Sequence, residues 1–205
     1  MHLNLEAPGE TVWAVVVGAV LATIGGFVAT QLEAAMRRRE RQLNAAIMFG
    51  EILSALETIV GIAESSRSRG DPYGAMTLRL LRAGERETET YERNRSALYD
   101  LRDSEVRIRI HVIMVQLTLA LEGVSEASSL IAAADTALDE PGLADARAAV
   151  VQERRERWIV ERHRAFDFVV QVAGEITSLI AILQPLAKVN FGELKKFSGN
   201  PFADA

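Results

Sequence analysis

The sequence predicts an all-α protein: an N-terminal transmembrane helix continuing into an antiparallel cytoplasmic helical bundle of three to four helices. Three observations lead there. Thr11 to Thr30 is a run of twenty residues without a charge. Behind it, apolar residues recur at spacings of three and four along several long stretches, which is the period of a helix seam rather than of a strand. The stretches are parted by short breaks carrying glycine and proline, as in "SRGDP" and "DEPG".

Twenty helical residues are about 30 Å long, the thickness of a bilayer's hydrocarbon core. The run is apolar on every side, whereas a helix packed in a soluble core keeps a polar stripe. An export signal is disfavoured, because "MHLNLEAPGE" carries Glu6 and Glu10 and no lysine or arginine. Retention as a span is therefore expected over 11–30, with 1–10 outside the cytoplasm. Arg37, Arg38, Arg39 and Arg41 follow the span, and such a cluster marks the cytoplasmic side. The expected location is the inner membrane, crossed once, with residues 31–205 in the cytoplasm. Lipid is the first partner, and the arginine cluster is primarily a topology signal.

Ala14, Gly18, Ala22, Gly26 and Thr30 recur every four residues and form a ridge of small side chains. In lipid such a ridge lets two helix backbones approach closely, so a homo-oligomer is expected through Ala14, Gly18, Ala22 and Gly26. Gly25-Gly26 is the weakest point for a bend.

The first cytoplasmic seam is Ala46, Phe49, Leu53, Leu56, Val60 and Ala63, with coiled-coil spacing. No glycine or proline separates it from the span, and Gly70 and Pro72 end it. A second helical region covers about 72–100, with a fault expected at Gly84. Asp103 and Ser104 supply capping oxygens for the third helix. Its seam runs Val106, Ile110, Ile113, Leu117, Ala120, Val124, Ala127, Ile131, Ala134 and Leu138. The fourth covers about 144–183, with Trp158, Arg162, Ala165, Val169, Val172, Ile176, Leu179 and Leu183 on one stripe and Pro185 ending or bending it. Residues 31–188 thus form the bundle and 189–205 a tail, whose Phe191, Phe197 and Phe202 are placed to fold back on it.

Composition excludes several classes of function. Cysteine is absent, which removes disulfides, thiolate metal sites and cysteine nucleophiles. A net charge of −5 leaves no general nucleic-acid footprint. His111 and His163 each lack a glutamate three residues before them, so the paired Glu-x-x-His ligands of a di-iron bundle are missing. His163 and Asp167 lie one turn apart but have no evident third ligand. No nucleotide-binding or hydrolase motif appears. No cofactor and no metal are expected. The chain reads as a non-enzymatic interaction or oligomerisation protein with a possible cytoplasmic protein partner.

Two segments bear likenesses. In "RRERWIVERHR", Arg157 and His163 are spaced in a way that resembles the Arg-x(4–6)-His motif of HEPN ribonucleases. Those are helical bundles whose arginine and histidine meet across a dimer to cleave RNA. A membrane-anchored, HEPN-like accessory protein of RNA-targeting CRISPR systems has a comparable layout. The alternative function is an effector in phage defence or toxicity, either a HEPN-like ribonuclease, as the resemblance implies, or a pore-forming oligomer of the spans. The sequence departs from the motif by placing Trp158 where the family has a polar residue. In "TYERNRSALYDL", Tyr91, Glu92, Asn94 and Leu98 resemble a Tyr-Glu-x-Asn-x-x-x-Leu stretch of small bacterial single-pass membrane proteins with a helical cytoplasmic domain. That likeness implies no catalytic residues. Tyr91 and Tyr99 are expected as lids on the bundle end. Arg162, on the apolar stripe, calls for an acid such as Glu57, Glu122 or Glu126 opposite it.

Overall fold

A computed structural model describes residues 8–69, 72–141 and 144–192. Every element among them is helical: α1 (Pro8–Ser68), α2 (Ala75–Asn94), a 3₁₀ turn (Arg95–Asp100), α3 (Ser104–Leu138) and α4 (Asp145–Ala187). The chain divides into two compact units, Met1–Arg41 and Gln42–Ala205, with the boundary inside α1.

In the first unit the apolar side chains lie open. Trp13, Leu21, Phe27 and Leu32 are each at least 60% exposed. Among the described residues three helices are long and apolar enough to cross a membrane. They differ in one respect: none of the apolar window in α1 is buried, against 39% of that in α3 and 44% of that in α4.

The second unit is built around a core in which the expected seams meet. Ala46, Phe49, Leu53, Leu56, Val60 and Ala63 of α1 are all buried, as are Val106 to Ile131 of the α3 seam and Val169 to Leu183 of the α4 stripe. Ala134, Leu138, Trp158 and Ala165 are half-buried at the periphery. Two pairs of neighbouring helices run in opposite chain directions. On α3 and α4, Arg109 donates to Ser178 (2.7 Å) near one end, and Arg155 pairs with Asp135 near the other. On α1 and α4, Thr177 donates to Glu57 (2.7 Å), and Arg67 pairs with Asp167.

The element ends follow from local chemistry. Asp103 caps α3 by accepting from the backbone N–H groups of Glu105 (2.8 Å) and Val106 (3.3 Å). Ser104 is already the first helical residue, so only one of the two expected caps is used. Pro185 lies inside α4, which ends within a turn at Ala187; Lys188 then takes the left-handed conformation (φ 54°) usual after a helix C-terminus.

Two local expectations are corrected. Gly84 is no fault: α2 runs through it, and it packs under Leu121, whose Cδ1 lies 3.3 Å from where a Cβ would stand. Tyr91 is not a lid but fully buried in the core, while Tyr99 is 83% exposed and covers nothing. The Arg162 guanidinium lies 3.8 Å from the centre of the Tyr73 ring; Glu57 accepts from Thr177, and Glu122 and Glu126 line a cleft between α2 and α3. Of the tail phenylalanines, Phe191 is buried against Gly50, where a Cβ would fall 2.1 Å from its ring. Phe197 and Phe202 lie outside the described residues.

Candidate functional site

On the ridge of the first unit, Gly18 and Gly26 face open space, with nothing within 4 Å of where a Cβ would project. Ala22 is exposed, and Thr30 turns its hydroxyl back to the Gly26 carbonyl (2.8 Å), hiding a polar group within the helix. The Ala14 side chain lies outside the description. Arg37 pairs with Glu33 one turn earlier, and Arg38, Arg39 and Arg41 are exposed.

Arg157 and His163 are not brought together. Arg157 projects into solvent and pairs with Glu153 at 3.2 Å. His163 turns toward its own helix, its Nδ1–H donating to the Ile159 carbonyl (2.7 Å), with its ring edge-on to Tyr73. Asp167, one turn on, is taken by Arg67. Hydrogen bonding to Asp167 holds the Arg67 guanidinium above its ordinary pKa, and burial pushes the Tyr73 hydroxyl up. The cluster pins the α1–α2 connection to α4. Among the described residues no group of three or more acidic, histidine or cysteine side chains is placed to hold a metal.

A second polar cluster forms where α2 passes into the 3₁₀ turn. The Tyr91 hydroxyl is 2.8 Å from His111 Nδ1, and Arg95 reaches His111 Nε2 at 3.3 Å. A guanidinium can only donate, so Nε2 accepts; the ring proton therefore sits on Nδ1 and is donated to Tyr91. Burial pushes the Tyr91 pKa up to about 12. With Leu98 buried and Asn94 donating to the Thr90 carbonyl, the Tyr-Glu-x-Asn-x-x-x-Leu stretch works as a joint between helix and turn.

Sequence reasoning missed the open groove between α2 and α3, about 740 Å³ in volume, lined by Glu85, Glu89, Glu92, Glu122 and Glu126 together with Arg93. It also missed a second apolar row on α3: Ile108, Val112, Val115 and Leu119 are exposed, Ile108 and Leu119 by more than 60%. Their spacing of four, three and four was readable, but the buried seam beside them absorbed the pattern. No protein-family model, curated protein sequence or solved structure matches this chain.

Proposed function

We propose that the chain is a non-enzymatic, membrane-anchored interaction protein. The first unit crosses the inner membrane once with its N-terminus outside, and Gln42 onward forms a cytoplasmic antiparallel four-helix bundle. One observation carries this reading. The apolar window of α1 has no protein to cover it, whereas the windows of α3 and α4 are partly consumed by a core they share. Twenty apolar residues left in water would be costly at roughly 25 cal/mol per Å², and a bilayer removes that cost. The opposite chain directions of neighbouring helices support the bundle, and the arginines at 37–41 support its cytoplasmic side. Self-association follows from the open ridge at Gly18 and Gly26.

Reporter fusions at each end, combined with alkaline extraction of membranes, test the anchor and its direction. The expected result is alkali-resistant protein with an active cytoplasmic reporter at the C-terminus. Protein released at alkaline pH would remove the anchor. Replacing Gly18 and Gly26 with leucine is expected to abolish cross-linked oligomers while leaving insertion intact.

A further inference from the structure

The outward face of α3 changes character halfway along. Ile108, Val112, Val115 and Leu119 make an exposed apolar row, and the same spacing continues into Glu122 and Glu126, also exposed. A helix face with no packing duty is normally polar along its length. Here four large aliphatic side chains are left uncovered by the chain, and scattered single exposures do not form such a line.

Beside the acidic half lies the α2–α3 cleft. Its two parts, about 740 and 320 Å³, share Glu85, Ser125 and Ser129 and so form one trough. The trough is bounded on α2 by Leu78 at one end and Arg93 at the other, about 22 Å at 1.5 Å per residue, the length of a four-turn helix. Thr88, Ser125, Ser128 and Ser129 keep the walls low, and Leu81 and Val124 supply apolar surface. Glu89 and Glu92 have only loose arginine neighbours at 3.9 Å. Glu85, Glu122 and Glu126 have no ion-pair partner among the described residues. Against Arg82 and Arg93 in the same lining, five carboxylates leave the concave surface with an excess of negative charge.

We infer that the α2–α3 cleft and the adjoining row on α3 dock a basic amphipathic helix of a protein partner. Its apolar face covers Ile108 to Leu119, and its lysines or arginines meet Glu85, Glu122 and Glu126. This is helix-in-groove recognition, with apolar anchors supplying affinity and charge setting orientation. A second copy of this chain fits less well: either parallel or antiparallel pairing of the row brings Glu122 opposite another glutamate, its own copy or Glu105. The inference rests on reading the chain as an interaction protein and names the partner's chemistry.

The test uses the full-length chain in phosphatidylcholine nanodiscs. The probe is a fluorescent peptide of about 24 residues with leucine on one helical face and lysine on the other, long enough to run along both the row and the trough. Saturable binding is expected, weakening as salt rises. The triple variant Glu85→Gln, Glu122→Gln, Glu126→Gln should lower affinity at least about tenfold, as should Ile108→Gln with Leu119→Gln. Unchanged circular dichroism of each variant shows that the fold persists. A companion peptide with glutamate in place of lysine should not bind.

Equal binding by both peptides, by the triple variant, or by empty nanodiscs overturns the inference. So does a chain whose only response to Ile108→Gln with Leu119→Gln is loss of self-association. Failure of the anchor shows instead in alkaline extraction, which no peptide result affects.

Discussion

Residues 15–36 and residues 45–63 belong to one helix and draw on the same aliphatic and aromatic side chains, yet the first set is exposed and the second buried. Apolar content does not separate them; arrangement does. In the first, apolar residues surround the helix. In the second they occupy one stripe, with Glu51, Glu57 and Glu64 on other faces. A stripe can be satisfied by neighbouring helices, while a surface apolar on every side is satisfied only by a medium. The switch comes at Arg37 to Arg41, where four arginines fall within five residues.

The largest test attacks the first set through its medium. Val20→Arg with Ile24→Arg places two guanidiniums at mid-span, each disfavoured by about 3 kcal/mol on insertion scales. Alkali-resistant membrane association should be lost, while the thermal transition of the second unit stays in place. If the variant remains alkali-resistant, the open surface is not a span.

The converse test is a cavity. Leu53 is 1% exposed, so Leu53→Ala should destabilise the fold by about 3 kcal/mol, read as a lower melting temperature in detergent. Leu21→Ala, in the exposed set, should leave that melt unchanged. Equal shifts from both would erase the distinction between a protein core and a lipid-facing surface.

A narrower test lies at Gly50. The Phe191 ring sits where a Cβ would stand, so Gly50→Ala should expel it and cost about 2 kcal/mol by overpacking. Phe191→Ala made on top of Gly50→Ala should then cost less than it does alone. Full additivity would show that the ring does not seal this point of the core.

Tyr91 gives a pH-dependent version of the same contrast. Its pKa is about 10 in the unfolded chain and about 12 when buried, so the folded state holds its proton more tightly. Stability from this group is intact below about pH 10 and falls as pH rises toward about 12, by at most roughly 3 kcal/mol in all. Thermal melts from pH 9 to 11.5 check it. Tyr91→Phe should be less stable at pH 9, through loss of the His111 contact, and the gap should narrow above pH 10.

Much of this was legible in the chain, and the parts that were not share a cause. A repeat of threes and fours reports one face of one helix, so the seams from Ala46, Val106 and Val169 were readable and are buried. What a single helix cannot report is which residue of another helix stands opposite. Gly84 reads as a weak point until Leu121 is placed against it, and Tyr91 as a lid until His111 meets its hydroxyl. Arg162 reads only as a charge on an apolar stripe until the Tyr73 ring is placed 3.8 Å from its guanidinium. The acidic trough has the same origin, since Glu85 and Glu126 face one cleft only after α2 turns back along α3.

The smallest expected effect belongs to Arg157, in the most solvated part of α4. Its side chain and that of Glu153 are 66% and 73% exposed, and an i, i+4 pair in that setting contributes at most about 0.5 kcal/mol. Arg157→Ala should therefore leave the melt almost unmoved, whereas Arg67→Ala, which removes the Asp167 pair and a cation stacked 5.1 Å over Phe166, should lower it measurably. Purified wild type and Arg157→Ala are also expected to behave alike toward single-stranded RNA, because His163 is committed to Ile159 and Tyr73 on another face of the same helix. RNA cleavage lost on substituting Arg157 alone would require a second copy to bring the two side chains together. That would make α4, rather than the α2–α3 trough, the working surface of the second unit.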